Sequence, residues 1–99
     1  MKDILENLNK VFDSRIRLGV MSVLVVNEDI DFNSLKEMLK ITDGNLASHV
    51  NVLDKNKYIK VKKSFIGKKP NTSYSVTALG RRAFSEHLDA LEQLIKSTS

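Results

Sequence analysis

The chain has 99 residues, 41% of them hydrophobic and 28% charged, with no cysteine and a formal charge of +4. Such a composition describes one globular domain, not a disordered or collagen-like chain, and a domain this small buries only about 60–65% of its unfolded surface, which leaves little room for a deep catalytic cavity. The lack of cysteine excludes disulfides, thiolate metal sites and cysteine nucleophiles, and no apolar run approaches the ~20 residues of a membrane span.

Taken in chain order, Asp3 to about Lys10 carries Ile4, Leu5 and Leu8 at helical spacing, followed by Val11 and Phe12. Nothing in this start resembles a secretion signal, which together with the missing cysteines suits the cytoplasm. Asp13 or Ser14 can cap a helix over Arg15 to about Val26, with Ile16, Val20 and Leu24 at four-residue steps and Met21 and Val23 beside them. Gly19 and the valines are poor helix formers, so a strand over Met21–Val26 is the alternative. Asn27 to Asp31 is a polar break. Ser34 with Glu37 has the capping-box spacing and predicts a short helix with Leu35, Met38 and Leu39 inward. Ile41-Thr42-Asp43 interrupts it, and Thr42 or Asp43 can cap a helix from Gly44 to about Lys55 whose Leu46, Val50 and Leu53 face the core. Beyond Lys57 the period changes. Tyr58, Ile59, Val61 and Phe65 are interleaved with lysines, Ile66 to Asn71 has turn chemistry, and Thr72 to Val76 alternates at period two, which predicts a β-hairpin. Thr77 can cap a last helix from Ala78 to about Lys96, with Leu79, Ala83, Phe84, Leu88, Leu91, Leu94 and Ile95 as its apolar positions.

Charge is segregated along this order. From Lys55 to Arg82 there are nine basic residues and no acid, a local charge of +9, while the rest of the chain holds seven basic against twelve acidic residues, or −5. A solubility surface usually mixes signs. A single-sign block is the footprint of a surface that meets polyphosphate.

A short helix, a turn and a second capped helix make a helix-turn-helix, and a basic hairpin directly after it makes a winged one. The run Leu46-Ala47-Ser48-His49-Val50-Asn51-Val52-Leu53, then Tyr58-Ile59, Lys68-Lys69-Pro70 and Tyr74-Ser75-Val76-Thr77-Ala78-Leu79-Gly80-Arg81 resembles the small bacterial winged-helix transcriptional regulators related to the MarR and ArsR groups. The resemblance covers nearly the whole chain, most clearly from Phe12 onward. It implies a homodimer on a near-palindromic operator and a recognition helix beginning at Gly44. It specifies neither target nor effector ligand. The expected fold is therefore mainly α (α+β), a single winged helix-turn-helix domain over residues 1–99 with a two-stranded wing and terminal dimerisation helices.

A recognition helix presents its N-terminal half to base edges in the major groove. With Leu46, Val50 and Leu53 inward, the outward residues are Asn45, Ser48, Asn51, Lys55 and, in part, His49. Asn45 suits adenine and Ser48 several bases, although Asn45 could equally support the helix start. Thr42 and Gly44 sit at the helix entry, where backbone N–H groups favour phosphate. His49 beside the core stripe reads first as a packed, hydrogen-bonded histidine. His87, with Glu86 and Asp89 nearby, lacks the ligand number of a metal site, and no cofactor is expected. Lys62, Lys63, Lys68 and Lys69 would line or tip the wing and meet phosphates; as an alternative, lysines on an edge strand resist aggregation. Gly67-Lys68 lacks the spacing of a phosphate-binding P-loop, and Asn71-Thr72-Ser73 matches a glycosylation sequon by chance. Ile4, Leu5, Leu8, Leu88, Leu91, Leu94 and Ile95 exceed what so small a core needs and predict a dimer interface; otherwise they close the monomer core. No enzymatic constellation is present. A protein-docking module and an RNA-binding domain are the competing readings. Exposed aromatics would favour RNA, and the hairpin spacing of Phe65 and Tyr74 places both in the core.

Overall fold

The computed structural model describes residues 5–98. Helix α1 (Arg15–Leu24), strand β1 (Ile30–Asp31), helices α2 (Phe32–Leu39) and α3 (Asp43–Lys55), strands β2 (Ile59–Ile66) and β3 (Lys69–Val76), and helix α4 (Ala78–Thr98) follow in that order. This is a winged-helix fold, mixed α+β and mainly helical. Ile4 lies outside the described residues. The first expected helix, Asp3 to Lys10, is helical at Leu5 and Glu6 and then gives way to a turn. Asn9 accepts the Val11 N–H at 2.9 Å and caps a 3-10 turn over Lys10–Phe12 instead, because its short side chain offers the backbone a partner outside the helix.

Helix α1 starts where expected. The Ser14 hydroxyl accepts the Arg17 N–H at 3.2 Å, and Val20, Met21 and Leu24 are buried. It ends two residues short of Val26, which is exposed, and Asn27 Nδ2 donates to the Val23 carbonyl at 2.7 Å at that end. The alternative of a strand over Met21–Val26 is not what forms. Helix α2 begins at Phe32, three residues earlier than the capping-box spacing suggests, because Asp31 caps it by accepting the Ser34 N–H at 2.7 Å. That hydrogen bond holds the Asp31 carboxyl below its ordinary range. Pairing of Ile30 with Tyr74 and Asp31 with Ser73 keeps Asp31 extended, the backbone an N-cap needs. Met38, expected inward, is 56% exposed; Leu35 alone of the three is fully buried, and Leu39 is half-buried.

The linking turn has three residues, Lys40 to Thr42. Lys40 takes the left-handed conformation (φ 55°), and the Ile41 N–H reaches back to the Lys36 carbonyl, the pattern of a Schellman end. The antiparallel sheet has the order β1-β3-β2, with Ile59 opposite Val76 and Ile66 opposite Lys69. The hairpin thus turns in two residues, Gly67 and Lys68. A positive φ at the first of them alone (Gly67, 65°) is the II′ pattern, which matches the strand twist. The longer turn expected over Ile66 to Asn71 does not form: Pro70 lies within β3, opposite Phe65. With Ile66 and Lys69 as the closing hydrogen-bonded pair, Phe65 and Pro70 form a non-hydrogen-bonded pair, so β2 asks no N–H of Pro70. On its other side β3 meets β1 only at Ser73 and Tyr74.

One core holds these layers together. Phe12, Val20, Met21, Leu24, Leu35, Leu46, Leu53, Ile59, Tyr74 and Phe84 are buried in a continuous cluster. The Phe12 ring is its hub, 5.5 Å edge-on from Phe84, 5.4 Å from Tyr58 and 5.2 Å from the buried His87 imidazole. Asn9 ties the same corner by donating its side-chain amide to the Tyr58 hydroxyl at 2.9 Å and its backbone N–H to His87 Nδ1 at 3.0 Å. His87 is therefore a packed, hydrogen-bonded residue. No group of three or more His, Asp or Glu side chains able to hold a metal occurs among the described residues. None of the described helices is long and apolar enough to cross a membrane.

Candidate nucleic-acid interface

Helix α3 is positioned by its buried stripe. Leu46, Val50 and Leu53 are buried at i, i+4 and i+7, which leaves Gly44, Asn45, Ala47, Ser48, Asn51 and Lys55 exposed on the opposite side. The Thr42 hydroxyl accepts the Asn45 N–H at 3.2 Å and caps the helix. Thr42 is thus committed to the backbone, whereas the Asn45 side chain stands at the exposed helix entry. Asp43 would place a negative charge at the same entry, but Lys36 of α2 lies 2.7 Å from its carboxylate. The pair leaves the positive end of the α3 dipole less opposed toward an incoming anion.

His49 is half-buried, and Arg17 Nη1 lies 2.9 Å from its Nδ1. Arg17 is itself tethered, since its Nε donates to the Val11 carbonyl at 2.6 Å. Burial first, and the Arg17 charge second, push the His49 pKa down. His49 is therefore packed and hydrogen-bonded as its place beside the core stripe suggests, but its partner comes from α1. Sequence reading overlooked Arg17 and Lys36. Each acts on α3 from another helix, and no local spacing rule reveals such a pairing.

The wing stands beside α3. Lys62, Lys63, Lys68 and Lys69 are all exposed. Because side chains alternate along a strand, Lys63 shares a face with Val61 and Phe65, and Lys62 lies on the other. A cleft of about 420 Å³ separates α3 from the sheet, with Asn51 and Asp54 on one wall and Lys63 and Thr72 on the other. Tyr74 lies at its floor, and its hydroxyl pKa is raised by burial and by Asp54. Tyr74 is in the core as expected. Phe65 is not: it is 73% exposed, because the strand carries it past the last side chain of the core. Of the residues proposed for DNA contact, Asn51 and Lys63 face each other across this cleft, while Asn45 and Ser48 are exposed nearer the α3 entry and Lys62, Lys68 and Lys69 are exposed elsewhere on the wing. The candidates for the dimer interface lie elsewhere: Leu5 and Leu88 are exposed, Leu8, Leu91 and Leu94 are half-buried, and Ile95 is exposed.

Residues 16–95 match the family model described as winged helix DNA-binding domain. This chain belongs to that family. An uncharacterized protein of Methanocaldococcus jannaschii is 36% identical over 88 residues, which span 89% of this chain and 96% of that one. Among solved structures, the transcriptional regulator homologue from Pyrococcus horikoshii superposes with a TM-score of 0.86 at 28% identity, over 99% of this chain and 95% of that one. The winged-helix architecture is also similar to that of PadR from Bacillus subtilis, whose structure was determined with operator DNA. There the TM-score is 0.68 at 12% identity, over 76% of this chain and 48% of PadR, a likeness of fold alone.

Proposed function

We propose that this winged-helix protein is a cytoplasmic, non-enzymatic regulator of transcription, of the MarR- and ArsR-like kind, that binds double-stranded DNA as a homodimer on a near-palindromic operator. The observation that carries the reading is the joint exposure of Asn45, Ser48 and Asn51 on a capped α3 and of four lysines on the adjoining wing, in a stretch with no acid from Lys55 to Arg82. Helix α3 enters the major groove, with Asn45 and Ser48 at base edges and Thr42, Gly44, His49, Asn51 and Lys55 around them. Lys62, Lys63, Lys68 and Lys69 meet phosphates. A protein-docking module would turn apolar or aromatic side chains outward on α3, and the outward residues here are small or polar.

The test is a titration against duplexes selected from a random pool, at several salt concentrations. Asn45→Ala and Ser48→Ala should each cost about 1–3 kcal/mol on the selected site and far less on random duplex. Lys68→Ala with Lys69→Ala should weaken both alike and flatten the log–log salt slope by up to ~0.9 for each phosphate no longer neutralised. A wild-type chain that binds no duplex at low salt sinks the proposal.

A further inference from the structure

Phe65 and Ile66 are 73% and 65% exposed at the far end of the wing. They are neighbours in β2, so their side chains leave opposite faces of the ribbon. The tip is therefore apolar on both sides, and the two-residue turn at Gly67 and Lys68 keeps it narrow. Pro70, also exposed, stands across from Phe65 and adds apolar surface without an N–H. Lys69 pairs with Ile66, Lys68 stands in the turn, and Lys62 and Lys63 lie farther back on β2, in a segment that holds no acid.

That charge selects a polyanion, and the two-sided tip selects its shape. A rigid protein face covers one side of a ribbon. A groove with two walls covers both. The minor groove of duplex DNA has such walls, lined by sugar rings and rimmed by phosphates that the lysines can reach. In B-form it is only about 6 Å wide. A ribbon whose strands are about 5 Å apart, with side chains on both faces, does not enter without forcing the walls apart. Apolar wedges of this kind unstack base steps and bend the duplex.

We propose that the wing tip is a minor-groove wedge, with Phe65 and Ile66 against opposite walls, and that the protein bends the DNA it binds. Deformation is easiest at TA and CA/TG steps, so the wedge would confer a sequence preference at positions no side chain reads. The inference rests on the DNA-binding reading above.

The experiment uses a duplex selected by the protein and labelled at both ends, with end-to-end energy transfer as the readout. Wild-type protein should bend it by an angle on the order of 20–90°. The Phe65→Thr, Ile66→Thr double variant replaces two exposed side chains with a strand-forming residue, and its unchanged thermal melt verifies folding. It should keep the salt slope, lose most of the bend and bind about tenfold more weakly at a TA-containing flank, with a smaller loss at a stiff A-tract flank. A bend that persists in the variant, or wild-type binding without a bend, overturns the wedge and leaves the DNA-binding reading standing. Association of wild-type protein with phosphatidylserine vesicles, abolished in the variant while the bend is kept, assigns the tip to a lipid surface and also overturns it. Absence of all duplex binding by the wild type removes both readings.

Discussion

Arg17 carries donors only, so the nitrogen of His49 that meets it must be the acceptor. Neutral His49 accordingly holds its proton on Nε2 and offers α3 one fixed donor. Nitrogen-15 spectra at neutral pH should show a single Nε2–H tautomer at His49. Arg17→Met should let the two tautomers mix; an imidazolium or an Nδ1–H form in the wild type would refute the assignment. The same geometry sets a pH dependence. Burial pushes the pKa of both His49 and His87 below the ordinary 6.5, and Asp13 offsets this only partly at His87. Below 6.5 the unfolded chain takes up protons that the folded chain refuses, so stability falls with pH; above it, both states are neutral and nothing changes. The melting temperature should be flat above neutrality and decline toward about pH 5, less steeply in His87→Gln. Asp31, with its depressed pKa, adds a loss of the same sign only as pH falls below 3.8. At this scale the sequence is a partial guide. The half-burial of His49 follows from its place beside Leu46, Val50 and Leu53, but its partner lies 32 residues away.

Between elements, the crossing of α4 over the α3–β2 turn depends on backbone meeting backbone. Thr77 Oγ1 donates to the Lys57 carbonyl at 2.7 Å and accepts the Gly80 N–H at 2.9 Å, and the Thr77 N–H donates to the Tyr58 carbonyl at 3.0 Å. A Cβ on Gly80 would overlap that Tyr58 carbonyl, which has nowhere to move. Gly80→Ala should therefore destabilise the fold by about 1–3 kcal/mol or more, read as a lower urea midpoint. A variant with an unchanged midpoint would mean that the crossing relaxes freely. The longer helices and the hairpin were legible because their apolar patterns are sustained along the element. The first expected helix and the early end of α1 fail for local reasons, at Asn9 and Asn27; the other errors fall where a partner element decides. Strand β1 has two residues, too few for any period, and exists because β3 has an open edge at Ser73 and Tyr74. Its extended backbone then moves the α2 cap from Ser34 to Asp31. Pro70 reads as a strand stop in isolation but is tolerated at a non-hydrogen-bonded position, and the longer strands that result carry Phe65 out of the core.

The whole molecule is longer than its size requires. A compact chain of this length has a radius of gyration of about 13 Å; here it is 14.9 Å, with extents of 54 × 25 × 21 Å. Helix α4, 21 residues long, accounts for the shape. Its Ala83, Phe84, His87 and Ala90 are buried, whereas Leu88 and Ile95 are 46% and 69% exposed. Against its middle lies a groove of about 620 Å³, with Leu5, Leu8, Phe12, Leu18 and Leu91 as its apolar lining and Glu6, Asn9, Lys10, Asp13 and His87 as its polar lining. An arm with exposed leucines beside an open, partly apolar groove supports a two-fold pairing, in which each copy's last helix covers the other's groove. That arrangement also serves the operator: two recognition helices about 34 Å apart would meet successive turns of one DNA face. A stable pairing should bury on the order of 1,200–2,000 Å² in total. Leu88→Glu with Leu91→Glu places charges in that seam, where an unpaired buried charge costs several kcal/mol. Sedimentation should then show a monomer, with no cooperativity on a two-half-site duplex and a retained, weaker affinity for a single half-site. Folding of the variant is checked by its far-ultraviolet circular dichroism, because Leu91 is half-buried and contributes to the monomer as well. If the wild-type chain sediments as a monomer at tens of micromolar and still binds DNA tightly, the terminal apolar residues serve the chain's own core, and the operator is read one half-site at a time.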